Sequence, residues 1–267
     1  MMRIAISGAA GQMGRVLLDA CHHSEDVCCT VALEQPDSQF LGTDAGELAG
    51  IGKLDLTITS DVASLLDQFE VLVDFTNTSA TLGYLAVCQV ASKAMVIGTT
   101  GFSYEQKFKI SQAAEMIPIV FSPNMSICVN ICFKLLELTA QAIGDKTDIE
   151  IIEAHHRRKI DAPSGTALAM GEVIANEFGL SLEQCTIYDR KELPGFRDHA
   201  RIGFSTLRGG DVIGEHTAIF FDMGERIEIT HRASNRMAFA HGALRAVVWL
   251  AGRKAGLFDM RDVLNMR

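Results

Sequence analysis

Fifteen consecutive residues, Glu153-Ala154-His155-His156-Arg157-Arg158-Lys159-Ile160-Asp161-Ala162-Pro163-Ser164-Gly165-Thr166-Ala167, gather the groups that an anionic substrate and a proton transfer require. Two imidazoles and three cations follow a run in which Ile149 and Ile151 alternate with Asp148 and Glu150, the period of a strand with one face buried. Pro163 and Ser164 then open a helical pattern, with Ala167, Met170, Ile174 and Phe178 recurring at spacings of three and four. Ser164 suits the N-cap, and Gly165 has no side chain to keep a ligand from the backbone. The N–H groups and dipole of such a helix start favour a carboxylate or a phosphate. A basic turn thus precedes an anion-binding helix end, with histidines and a lysine available to move protons. Metal binding is not expected: adjacent histidines point apart on a strand, and no helical H-E-x-x-H or Cys/His spacing occurs.

Such a site needs something to react with, and the first third of the chain supplies a candidate. Residues 3–15 read as a short buried strand, then a turn containing Gly8, Gly11 and Gly14, then a helix with Met13, Val16, Leu17 and Ala20 on one face. Strand, glycine turn and helix in that order are the setting of a dinucleotide fingerprint, here spaced G-x-x-G-x-x-G. The next strand, 28–33, ends in Glu34, twenty residues past Gly14, where a carboxylate can accept both hydroxyl protons of an adenosine ribose.

Residues 35–53 have the composition of a loop, 57–59 read as a short strand, and Ser60 and Asp61 as the cap of a helix to about 68. Buried-strand patterns at 71–76, 95–97 and 117–121 then alternate with helical stretches, which predicts a parallel sheet. Ligands of such sheets sit at the carboxyl ends of the strands. Asp74-Phe75-Thr76, Gly98-Thr99-Thr100 and Ser122-Pro123-Asn124-Met125 all fall there, beside the glycine turn.

After a long apolar helix, 129–143, strands predominate at 148–154, 186–189, 202–207, 213–222 and 226–231, interrupted by the helix 164–178. This is the texture of a mixed α+β second domain. The tail from Arg236 returns to helix. A chain of 267 residues, 48% hydrophobic, can bury the cores of two such domains. A net charge of −9 argues against a nucleic-acid binder, and no apolar run has the length of a membrane span. The seven scattered cysteines, never spaced C-x-x-C, and the absence of a signal peptide before the first strand predict a cytoplasmic protein.

The segment 153–167, together with 8–14, 98–102 and Asn124, resembles the bacterial 4-hydroxy-tetrahydrodipicolinate reductases, also called dihydrodipicolinate reductases. The likeness runs over nearly the whole chain. It implies NAD(P)H-dependent reduction of a cyclic imine dicarboxylate, a step in diaminopimelate and lysine biosynthesis. It also implies an α/β Rossmann dinucleotide-binding domain over 1–126 with 236–267, a mixed α+β domain for substrate binding and tetramerisation over 127–235, and a homotetramer. By position, His155 and Lys159 match the catalytic pair, and His156, Ser164, Gly165 and Thr166 the substrate-binding residues. Gly8, Ala9, Ala10, Gly11, Gln12, Met13, Gly14, Glu34, Phe75, Gly98, Thr99, Thr100, Ser122, Pro123, Asn124 and Met125 fall on cofactor-binding positions.

Two departures concern the cofactor. Gln12 follows the middle glycine and Gln35 follows the acidic residue, at places where an arginine is frequent. An arginine could bind a 2′-phosphate; a glutamine supplies no charge. NADH is therefore expected to be preferred, with NADPH weaker. Two other readings compete: a Rossmann oxidoreductase acting on an amino or keto acid, and a non-catalytic NAD(H)-sensing protein. The second leaves the basic turn and Pro163-Ser164-Gly165-Thr166 without a task.

Overall fold

The computed structural model describes residues 1–191, 195–198 and 201–267. Along the chain, β1 (Met2–Ser7), α1 (Gln12–His22), β2 (Val27–Leu33), α2 (Ala45–Ala49), β3 (Ile58–Thr59), β4 (Val71–Asp74), α3 (Thr78–Val90), β5 (Ala94–Ile97), α4 (Tyr104–Ala113) and β6 (Pro118–Phe121) come first. Then follow α5 (Ile127–Ile143), β7 (Asp148–His155), α6 (Gly165–Glu177), α7 (Leu182–Cys185), β8 (Thr186–Ile187), β9 (Ile202–Arg208), β10 (Gly214–Phe221) and β11 (Arg226–Ala233). The chain closes with α8 (Met237–Leu250), β12 (Gly256–Phe258) and α9 (Met260–Val263). Two compact units form, Met1–Ile127 with Arg236–Arg267, and Cys128–Asn235.

In the first unit seven parallel strands lie in the order β12-β6-β5-β4-β1-β2-β3. The near-continuous apolar runs of β1, β4 and β5 follow from burial on both faces. Ile4, Ile6, Val71 and Val73 pack on one side with Leu17, Leu18 and Val247, whereas Ala5, Leu72, Met95 and Ile97 pack on the other with Leu85 and Ile110. The strand order reverses between β1 and β4, and it is beside such a reversal that open α/β sheets bind their ligands. Helix α8 lies close against the backbone because residue 242 is glycine; a Cβ there would come within 1.7 Å of the Met125 carbonyl oxygen.

The structure corrects the sequence reading in several places. The stretch 35–53 is not all loop, because α2 sits inside it. Asp44 caps that helix by accepting from the N–H groups of Gly46 and Glu47, and Gly50 ends it in the left-handed region at φ 80°. Five residues are too few for a helical period to show. The helix expected over 60–68 is a 3₁₀ turn over Ala63–Gln68, with the Asp61 carboxylate accepting from Ser64 N. Past α8 the chain adds β12, which pairs with β6 at the sheet edge, so the tail contributes a strand as well as helices. The short helix α7, which was not expected, precedes β8, and that strand covers only the first two residues of the one expected over 186–189.

The second unit is a mixed sheet of order β11-β10-β7-β9-β8, with β10 antiparallel to both neighbours and β7, β9 and β8 parallel. Helices α5 and α6 contribute Leu136, Met170 and Ile174 to a core that also takes Ile149 and Ile151 from β7 and Ala218 and Phe220 from β10. Along β7 burial alternates strictly, so Glu153 and His155 lie on the same buried face as Ile149 and Ile151. Two ionisable side chains are thereby carried into the end of an apolar layer.

Candidate active site

Strand β7 ends at His155, and its pleat decides what that imidazole meets. The Glu153 carboxylate, two residues back on the same face, accepts a hydrogen bond from His155 Nδ1 at 2.6 Å. Arg208, opposite His155 on β9, grips the same carboxylate with both terminal nitrogens at 2.8 Å. Burial alone would raise the Glu153 pKa, but Arg208 and His155 outweigh it and bring it down to about 2. His155 is lowered in turn, by burial first; Glu153 opposes this, whereas Lys159 and Arg208 add to it. The Lys159 ammonium pairs with Asp161 at 2.8 Å, while Arg157 and Arg158 lie exposed.

The turn after β7 leads through a cis Ala162–Pro163 bond to α6. Ser164 caps that helix as expected, its hydroxyl accepting from Ala167 N at 3.2 Å. The same hydroxyl meets Nε2 of His216 at 2.8 Å, and Ser164 N donates to Glu153 at 3.2 Å. Ser164 is therefore buried and committed to the helix start, while Gly165 is exposed at the first position of α6. His156 is half-buried, its backbone N–H donating to the Val212 carbonyl at 2.7 Å and its Nδ1 buried without a partner.

His216 was not singled out by the sequence. Burial and the neighbouring His155 push it down to about 4 from an ordinary 6.5. Between those values the unfolded chain binds a proton that the folded chain does not, so stability falls as pH drops through that interval. The full loss is about 3 kcal/mol. Glu153 acts in the same sense lower down, since a depressed carboxylate loses its contribution as pH falls towards its folded value. Calorimetry should show a melting temperature that is level near pH 7 to 8 and declines from about pH 6.5 to 4. A level trace across that window would refute the assignment.

The first unit presents the glycine turn. Gly8 adopts φ +65°, and Gly11 N donates back to its carbonyl at 2.9 Å. A Cβ at Gly14 would lie 2.1 Å from the Gly8 oxygen, so only glycine lets α1 start this close to the turn. Gly11 stands at the N-cap with no side chain over the first N–H groups, leaving the helix start open to an anion. Glu34, just past β2, accepts from Ala10 N at 3.0 Å and Gln35 N at 3.2 Å, so the acid is tied to the turn it serves. Beside it lies a cavity of about 440 Å³ whose lining includes Gly8, Glu34, Gln35, Thr76 and Tyr84 and no lysine or arginine. A turn that a Cβ would fill, an open helix start and a carboxylate beside a cavity all fit a dinucleotide.

Other predicted cofactor residues divide by exposure. Gly11, Gln12, Thr100 and Pro123 are exposed, and Ala10, Met13, Glu34, Phe75, Gly98 and Asn124 half-buried. The side chains of Ala9 and Met125 are packed in the core, so only their backbone atoms are left to face a ligand. The Ser122 hydroxyl donates to the Asn124 carbonyl at 2.9 Å. Gly98 makes room for the Phe75 ring, which would lie 2.2 Å from a Cβ there. The Thr99 hydroxyl donates to Asp74 at 2.8 Å. Asp74 itself was missed as an organiser: fully buried at the end of β4, it also accepts from the hydroxyls of Ser7, Thr76 and Thr81, joining three of the loops at this sheet edge. Tyr84, with Ala80 and Val87 along one face of α3, was missed too; their spacing of four and three was the available signal.

Solved structures of known proteins share this fold. The dipicolinate-bound dihydrodipicolinate reductase from Paenisporosarcina sp. TG-14 is 24% identical, with 97% of each chain covered and a TM-score of 0.77. The probable dehydrogenase from Thermotoga maritima, 10% identical, matches with 99% of this chain and 93% of that one covered and a TM-score of 0.59. For the C. glutamicum DAP dehydrogenase in complex with DAP the values are 14% identity, 97% and 92% coverage and a TM-score of 0.52. The family description "Dihydrodipicolinate reductase, N-terminus" fits residues 2–125, and "Dihydrodipicolinate reductase, C-terminus" fits residues 128–264. A glycine turn with its acidic partner and a basic turn before a capped helix are thus accounted for together: the chain belongs to the dihydrodipicolinate reductase family, NAD(P)H-dependent oxidoreductases of lysine and diaminopimelate biosynthesis.

Proposed function

We propose that the first unit holds NADH in preference to NADPH, and that the second holds the two carboxylates of 4-hydroxy-tetrahydrodipicolinate, with His155 and Lys159 serving the proton transfer. When bound, a reduced nicotinamide supplies the hydride. Reduction of the conjugated imine places negative charge on the ring nitrogen, which cationic groups stabilise and a positioned acid neutralises. Lys159 and His155 are suited to that work, and His156 with the backbone at Gly165 and Thr166 to gripping a carboxylate.

The observation that carries the cofactor preference is Glu34 beside a cavity without a basic residue. A 2′-phosphate there would meet a carboxylate and no compensating cation, at a cost of roughly a few kcal/mol before screening. Following absorbance with the freshly generated cyclic imine, KM for NADH should lie below KM for NADPH, and Gln35→Arg should narrow or reverse the gap. A lower KM for NADPH in the unaltered enzyme sinks this preference.

The homotetramer and the cytoplasmic location belong to the same proposal. Cys128, Ile131, Leu135 and Leu138 form an exposed stripe along α5 at spacings of three and four, and Ile227 is exposed on β11, which supports self-association. All seven cysteines are free thiols, in keeping with a reducing compartment. Light scattering that gave the mass of a single chain would remove the tetramer. Among the described residues no helix is long and apolar enough to cross a membrane.

A further inference from the structure

Glu153 is 1% exposed, and an ionised carboxylate taken so far from water must be matched by donors. Here five converge on it: both terminal nitrogens of Arg208, His155 Nδ1, Ser164 N, and the Thr206 hydroxyl. The arginine does more than neutralise the charge. Its Nη2 also donates to the Asp161 carbonyl at 2.6 Å, and Asp161 is the residue whose carboxylate pairs with Lys159. One side chain on β9 thus spans the strand that carries His155 and the turn that carries Lys159.

A carboxylate can only accept, so the proton of a neutral His155 must sit on Nδ1, leaving the lone pair of Nε2 for whatever lies on the other side. Gly214 is the residue beside that nitrogen: a Cβ there would come 3.0 Å from Nε2, and glycine leaves it uncrowded by a side chain. We propose that Glu153 and Arg208 are positioning residues, which hold His155 in a single tautomer with Nε2 presented and tie it to the turn bearing Lys159. This rests on the reading of His155 and Lys159 as the proton-transfer pair. The charged and titratable groups facing His155 are Glu153, Lys159, Arg208 and, ring to ring at 5.0 Å, His216. Of these, Glu153 alone favours the protonated ring.

Two variants test the proposal in the full-length enzyme. Glu153→Gln keeps an acceptor near Nδ1 but removes the charge; Arg208→Lys keeps a charge but cannot span both carboxylate oxygens and the Asp161 carbonyl. In ¹⁵N-histidine spectra the neutral form of His155 should be the Nδ1–H tautomer alone, with both tautomers populated in E153Q. The limb of the kcat–pH profile that disappears in His155→Gln should move to lower pH in E153Q. There kcat should fall by roughly tenfold or more while dinucleotide affinity is kept. Arg208→Lys leaves the carboxylate but loosens its hold, so some of the second tautomer should appear and kcat should fall by less. The limb should not move to lower pH there, because Arg208 itself disfavours the protonated ring. A folded E153Q with an unmoved limb and an unchanged His155 spectrum overturns the proposal. If E153Q does not fold, an unchanged His155 spectrum together with an unchanged kcat in Arg208→Lys overturns it instead. Wild-type turnover in His155→Gln would remove the underlying reading of the site; an inactive His155→Gln beside an unperturbed E153Q would remove the positioning role alone.

Discussion

Replacing His155 with Gln, or Lys159 with Ala, is expected to lower kcat by about 10²–10⁴-fold, or roughly 3–5 kcal/mol of barrier. The size follows from what each group does. Charge that develops on the substrate nitrogen has to be met by a cation and a proton within reach, and no other lysine lies between Lys146 and Lys191 in this chain. Neither change should unfold the protein. Glu153 keeps its two hydrogen bonds from Arg208 when the imidazole is replaced, so no bare carboxylate is left in the core. The Lys159 ammonium pairs with the carboxylate of the exposed Asp161. Dinucleotide affinity, which depends on residues of the first unit, should survive in both variants. Binding titrations with NADH and single-turnover rates separate the two effects. If both variants turn over at the wild-type rate, the chemistry lies elsewhere.

The second large effect is expected from Gly14→Ala, the mildest change available at that position. Its Cβ would stand 2.1 Å from the Gly8 oxygen and 2.7 Å from the Ala9 Cα, both backbone atoms that cannot rotate away. Relief requires α1 to move off the turn, and the turn is also tied to Glu34 through Ala10 N. Overpacking of this kind costs about 1–3 kcal/mol. Because the displaced helix start is the element proposed to hold the dinucleotide's phosphates, we expect NADH affinity to weaken by about tenfold to a hundredfold. Calorimetric titration of NADH together with thermal melting reads both. Unchanged affinity in a folded Gly14→Ala protein would show that this turn does not hold the dinucleotide.

How far these residues could be read in advance depended on the distance over which their signals act. Strand, glycine turn and helix are each set within about a dozen residues, and Glu34 follows because β2 leads back beside the turn. The helix after Pro163 was legible because a serine cap and a three-four apolar period reinforce one another. The five-residue α2 and the three-residue β12 were not. Elements so short carry no period, and they form because Asp44 caps four N–H groups in one case and because the edge of β6 offers a partner in the other.

By itself, the sequence determined the two sets of chemistry-bearing residues and the kind of unit each would build, since hydrophobic period, glycine placement and capping are local properties of the chain. Only the tertiary structure decided how His155 is held. Arg208 is 55 residues from Glu153, and His216 is 52 from Ser164. Nothing in the intervening chain announces either pairing. They arise because β9 and β10 flank β7 in the sheet, and the register of those ladders sets a guanidinium and an imidazole beside a carboxylate that periodicity alone marks as one more inward-facing position.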